Sequence, residues 1–240
     1  MAVEHRLHTA GNHTGRLPGK GKSSQSRDSY EISCGPGQNG LVLFLLTGAS
    51  GAGKSSARQA IEADLLPRVE CVELRHLGTV PTDPDVAWRQ RMAERAVARA
   101  SLLDAEGRDL LLAGDPVAPG EVLAAPSAPS VDIAVCLLDV DEATQQRRLL
   151  SRGDPEELLW RHAAFAEWMR RHAEDPAYVP EALTNDGWPE MDWSRLTRLP
   201  WHVTVIDGSA LTVTEVGDRV LRWIGDVRTG SAPVFRRSAG

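Results

Sequence analysis

The residues Gly48-Ala49-Ser50-Gly51-Ala52-Gly53-Lys54-Ser55 satisfy the pattern G-x-x-x-x-G-K-[ST] without a mismatch. Each residue type has a use at its place. The glycines let the backbone turn tightly and aim several N–H groups at one anion, and the helix that follows, beginning near Ser56, adds the positive end of its dipole. Lys54 supplies a point charge for the β- and γ-phosphates of a nucleotide, and the Ser55 hydroxyl is a ligand for Mg²⁺. The chemistry expected of this stretch is therefore the binding of a nucleoside triphosphate with its metal.

Such a loop needs a strand before it and a helix after it. Residues 41–46 form a short continuous apolar run of the kind used by buried parallel strands, and residues 56–63 read as a helix uninterrupted until Pro67. Further strands are expected over 69–74, 109–113, 131–138 and 202–206, with a long helix from Asp85 to about Ala105. Strands alternating with helices imply right-handed crossovers and a three-layer α/β fold, with five parallel strands covered on both faces. In such sheets ligands bind at the carboxyl ends of the strands. Those ends carry Glu73 and His76, then Asp115, then Asp139 and Asp141. Each could instead serve as a turn or capping residue, and Asp141 in particular reads as the N-cap of the next helix. Asp115 is the candidate for contact with Mg²⁺ or substrate.

Composition bounds the remaining classes. The 240 residues, 42% of them apolar, suffice for one sizeable core, and a net charge of −6 argues against a general nucleic-acid binder. No stretch approaches the length of a membrane span or has the apolar segment of a signal peptide. Cys34, Cys71 and Cys136 lack metal-ligand spacing, and a reducing, cytoplasmic setting is the simplest expectation. Lysine occurs only at positions 20, 22 and 54, so the one lysine past residue 22 falls in the phosphate loop. Residues 1–38 read as a disordered leader and 227–240 as a flexible tail, leaving 39–226 as the folded domain.

The segment from Val131 to Gly153 resembles the corresponding part of adenylate-kinase-like P-loop small-molecule and nucleotide kinases, and residues 206–216 resemble that family's last strand and adenine-facing loop. The resemblance implies that Arg148 and Arg152, four apart, contact ATP phosphates, and that Gly208 and Ser209 lie by the adenine. It also implies ATP and Mg²⁺ as cofactors and phosphoryl transfer to a small-molecule hydroxyl or phosphate acceptor. From their places at the strand ends, Asp115, Glu73 and His76, in that order, are the candidates to orient or deprotonate an acceptor hydroxyl, and 153–200 is expected as a helical lid insertion. Thr212 and Glu215 form a capping box in any case. Two departures stand out. Where the family commonly has an aspartate at the end of the third strand, this chain has Ala113-Gly114, with Asp115 later; and 153–200 does not match the familiar lid. There Asp154-Pro155-Glu156-Glu157 predicts a capped helix start, with Leu158, Leu159, Phe165, Ala166 and Met169 on one face. Arg161, Arg170 and Arg171 lie off that face, as solvated charge or as cations for an anionic acceptor group.

Two other readings stay open: an NTP hydrolase that drives a conformational change, and a nucleotide-binding regulator without turnover. A GTPase is excluded because N-K-x-D requires a lysine after Lys54, and a transporter ATPase because no stretch resembles L-S-G-G-Q. Neither the acceptor nor the oligomeric state is legible.

Overall fold

The structure, a computed structural model, describes residues 40–238. The expected leader, 1–38, lies outside the described residues, as does Cys34.

Five parallel strands form one sheet in the order β2-β3-β1-β4-β5. They are β1 (Val42–Thr47), β2 (Val69–Val72), β3 (Asp109–Ala113), β4 (Asp132–Asp139) and β5 (Thr204–Asp207). The phosphate-loop strand β1 is central, and all of its residues are buried, which accounts for its unbroken apolar sequence. Helices α1 (Lys54–Leu65), α2 (Val86–Asp104), α3 (Pro119–Leu123), α4 (Glu142–Arg152), α5 (Leu159–Glu174), α6 (Glu181–Thr184) and α7 (Val213–Arg228) complete the chain. One face of β1, through Val42, Phe44 and Leu46, packs on Ala57, Ile61 and Leu65 of α1 and on Val220, Trp223 and Ile224 of α7. The Phe44 and Trp223 rings meet edge to face at 5.5 Å. The other face, through Leu43 and Leu45, packs on Met92, Ala96 and Val97 of α2 and on Val122 and Leu123 of α3.

The expected caps form. Asp85 and Asp141 accept from the backbone N–H groups of Trp88 and Thr144, both at 2.6 Å, and Thr212 and Glu215 make their reciprocal box. Four expectations are corrected. The second strand ends at Val72 rather than residue 74. There the His76 N–H donates to the Glu73 backbone carbonyl at 2.9 Å and closes a 3₁₀ turn, Leu74–His76, which removes those residues from the ladder. Asp154 does not cap a helix, because its carboxylate is held by Arg152 at 2.7 and 2.9 Å; a single 3₁₀ turn, Glu156–Leu158, precedes α5.

The third correction concerns 153–200. Much of this insertion packs into the core, and none of its residues lines the phosphate-loop cavity. Met169 and Ala173 of α5 and Leu183 of α6 pack with Ala118 and Leu137, while Met191 and Leu196 join the cluster on α2. His172 is fully buried and stacked on Trp168 at 4.8 Å, and its Nε2 accepts from the Gly120 N–H at 3.1 Å. Burial lowers its pKa to about 4, so this imidazole is neutral and serves as an acceptor.

The fourth is the C-terminal segment, expected as a flexible tail. Phe235 is 2% exposed, pairs antiparallel with Ile133 at the start of β4, and touches the Trp201 ring at 5.7 Å. Beside it, Asp132 accepts from Arg236 at 3.0 Å and from the Arg237 N–H at 2.8 Å. One apolar ring and one carboxylate thus tie down a stretch that has no periodicity of its own. Phe235→Ala is expected to destabilise the fold by about 3 kcal/mol, measured as a lower urea midpoint with the slope unchanged.

Candidate phosphate-binding site

The carboxyl end of β1 runs directly into the glycine loop. At Gly48, with φ +147, a Cβ would collide with the Leu138 carbonyl oxygen of β4, so the loop leaves the sheet closer to its neighbour than any side chain permits. Gly53 then stands as N-cap of α1. Around this turn lies a cavity of about 580 Å³ lined by Ser50, Gly51, Ala52, Gly53, Lys54, Ser55 and Ser56 from the loop and helix start. Arg148 and Arg152 of α4 face it, as do Arg75, Asp115, Val213 and Val216.

Lys54 is 4% exposed, and its Nζ donates to the carbonyl oxygens of Gly48 at 2.8 Å and Ala49 at 2.9 Å. Burial pushes its pKa down to about 8; Asp115 and Glu73 oppose that shift, while Arg152 adds to it. Two neutral carbonyls compensate an ammonium poorly, so an anion here would be a better partner than those present. Arg148 braces the loop: one Nη donates to Ala52 O at 2.9 Å and Gly51 O at 3.4 Å, and the other to Gly208 O at 3.3 Å. Loss of hydration lowers its pKa. Arg152 pairs with Asp154, 58% of its side chain exposed, and so has room to swing toward a ligand.

On the opposite wall, Asp115 accepts from the Leu74 N–H at 2.8 Å and lies 3.5 Å from Arg75. Glu73 is 5% exposed, with Arg75 at 2.8 Å and Arg58 at 3.4 Å. Its carboxyl group lies where a side chain on Gly114 would project, 2.6 Å from an added Cβ. An acid from the end of β2 therefore stands beside the end of β3, where the sequence has no acid of its own. For Mg²⁺ the donors facing the cavity are the Ser55 hydroxyl and the Asp115 carboxylate. That is a small oxygen set suited to an ion carried largely by phosphate oxygens. Among the described residues no group of three or more His, Cys, Asp or Glu side chains is arranged to hold a metal by itself.

The remaining candidates are dispersed. The Gly208 carbonyl receives Arg148, and Ser209 Oγ accepts from the Asp141 N–H at 2.8 Å while donating to Asp207 at 2.6 Å, but neither lines the cavity. His76 is spent on its turn, its Nδ1 accepting from the Glu73 N–H at 3.4 Å. Asp139 is held by Arg170 at 2.7 Å, Arg171 by Glu167 at 3.0 Å, and Arg161 stacks over Trp160 at 5.3 Å. None of these three arginines lines the phosphate-loop cavity. Arg75, Val213 and Val216 were not legible as site residues, since each is an ordinary surface or helix-start residue until the strand ends converge. Both described cysteines are poor nucleophiles: burial pushes the Cys71 thiol up to about 12 and raises that of Cys136 further.

No family model and no curated protein matches the sequence. Among solved structures, a sugar kinase from Janibacter sp. aligns over 80% of this chain and 99% of its own, at 21% identity and a TM-score of 0.46. The tunicamycin resistance protein of Deinococcus radiodurans aligns over 82% and 99%, at 12% identity and a TM-score of 0.48. A chain of the Pnkp1/Rnl/Hen1 RNA repair complex aligns at 16% identity and a TM-score of 0.42, over 58% of this chain and 48% of that one. This protein thus spans about half the length of the last. Likeness at this level assigns no activity; the site has to be argued from its own geometry.

Gly114, at φ +124, is the sharpest local constraint on the acid pair. Gly114→Ala is expected to cost about 2 kcal/mol from backbone strain together with collision against Glu73. In a Glu73→Ala background the collision disappears and only the backbone part remains, so a double-mutant cycle by chemical denaturation should show coupling.

Proposed function

We propose that this chain is an ATP-dependent kinase, transferring the γ-phosphoryl group of ATP to a small-molecule hydroxyl or phosphate acceptor. One observation carries the reading. Arg75, Asp115 and Pro116 line both the phosphate-loop cavity and a second cavity of about 370 Å³. A donor pocket and an acceptor pocket that share a carboxylate are what direct transfer requires.

In this reading the loop N–H groups and Lys54 hold the β- and γ-phosphates, and Ser55 with Asp115 would hold Mg²⁺. Arg148 and Arg152 neutralise charge that spreads over the transferred group. A Mg²⁺ held there would supply positive charge to the phosphates. For a hydroxyl acceptor, Asp115 takes the proton as the oxygen forms its bond to the γ-phosphorus. The bond from that phosphorus to the bridging oxygen breaks, and ADP leaves with the electron pair. Glu73, clasped by Arg58 and Arg75, keeps the Arg75 guanidinium in place rather than accepting the proton.

Asp115→Asn retains an oxygen for the Leu74 N–H and so keeps the fold. It is expected to lower kcat by about 100-fold or more, with KM for ATP changed only a few-fold. Steady-state kinetics with γ-labelled ATP measure both, and an unchanged kcat would remove Asp115 from the reaction.

A further inference from the structure

The second cavity has a chemistry of its own. Its apolar wall comes from Leu74, Val80, Pro84, Trp88 and Pro116. Val80 is 46% exposed and Trp88 half-buried, so apolar surface is presented to whatever enters. The Trp88 indole N–H is already spent on the Thr79 carbonyl at 3.0 Å, which fixes the ring and leaves its face as the contact.

The charged groups at the cavity are matched within the protein. Arg89 lies against Glu121, a fully buried carboxylate, with Nε at 2.8 and 3.0 Å from its two oxygens and an Nη at 2.7 Å. Removing that guanidinium toward a ligand would strand a buried charge, at a cost larger than a new surface pairing returns. Arg75 is held by Glu73 at 2.8 Å and Asp115 at 3.5 Å. Asp85 is occupied by the start of α2, at 2.6 Å from the Trp88 N–H. With Arg75, Arg89 and, behind Glu73, Arg58 set against Asp85, Asp115, Glu73 and Glu121, the local balance is one negative charge. Arg75 is the open cation, with 55% of its side chain exposed, but an entering phosphate or carboxylate could take it only by drawing it from the buried Glu73 and from Asp115, and would do so against that net negative charge.

We infer that the acceptor is a neutral hydroxylated compound with an apolar ring face, stacked on Trp88 with its hydroxyl toward Asp115, and not a nucleoside monophosphate or other anion. The inference rests on the kinase reading above and narrows it from hydroxyl-or-phosphate acceptors to neutral alcohols or phenols. The volume suits a small molecule of that kind.

The test is transfer from γ-labelled ATP with Mg²⁺, using the full chain and two pools. One pool holds neutral phenols, cyclohexanediols and neutral methyl deoxyglycosides; the other holds nucleoside monophosphates, aldonates and hydroxycarboxylates. Labelled phosphate is expected on the neutral pool and not on the anionic one. With the accepted compound, Trp88→Ala should raise acceptor KM roughly tenfold, with a smaller change in kcat. Val80→Lys, at an exposed position that tolerates substitution, should also raise it without creating transfer to the anionic pool. Transfer to an anionic acceptor would overturn the inference and leave the kinase reading standing. ATP bound without transfer to either pool would overturn both, and acceptor KM unchanged in both variants would put the acceptor elsewhere.

Discussion

Everything at this site depends on an ammonium group held out of water by a loop that offers it only carbonyl oxygens. Lys54 is almost completely buried, and its pKa of about 8 reflects how incompletely the Gly48 and Ala49 carbonyls replace hydration. A stable protein tolerates such a group only if the scaffold is rigid. Here the scaffold is a central strand buried along its whole length, flanked by β3 and β4 in register and wedged between α1 with α7 on one side and α2 with α3 on the other. The close approach of Gly48 to the Leu138 carbonyl and the arch of Arg148 from the loop to Gly208 fix the loop in turn. In the proposed function, an anion bound at this loop would give the ammonium the partner that the carbonyls replace poorly.

A second constraint is the distribution of negative charge opposite Lys54. Glu73 at the end of β2 and Asp115 after β3 approach one another because Gly114 has no side chain to keep them apart, and Arg75 lies between them. Arg58 holds Glu73 from behind. The result is one carboxylate locked among guanidiniums and another that lines both cavities.

Much of this was legible in the sequence, for definite reasons. The G-x-x-x-x-G-K-[ST] pattern needs particular residue types at particular places, and Gly48 through Ser55 lie where it predicts, between the end of β1 and the first turn of α1. Buried parallel strands must be continuously apolar, and so β1, β3 and β4 were located to within a residue. What escaped had no local signal. Phe235 is a single apolar residue in a polar tail, and only the presence of Ile133 and Trp201 gives it a place. Asp154 carries every mark of an N-cap, yet Arg152 outcompetes the backbone for its carboxylate. The Glu73 carboxyl beside Gly114 comes from another strand end, a neighbourhood that spacing along the chain does not reveal. Residues 153–200 matched no familiar lid, and the burial of Met169, His172 and Leu183 depends on strands and helices far along the chain.

The most direct test of the account is the pH dependence of ATP binding, by isothermal titration calorimetry in buffers of differing ionisation enthalpy. Lys54 is charged below about pH 8 in the free protein and loses its proton above it. Phosphate contact favours the charged form and raises the pKa in the complex, so affinity should be full below about pH 8 and fall as pH rises beyond it. The fall approaches tenfold per unit with net proton uptake. Lys54→Ala should bind far more weakly and without that slope. Wild-type affinity that stays flat from about pH 7 to about pH 9.5, or a Lys54→Ala variant that binds ATP as well as the parent, would contradict the claim that this buried lysine is the phosphate's counter-charge.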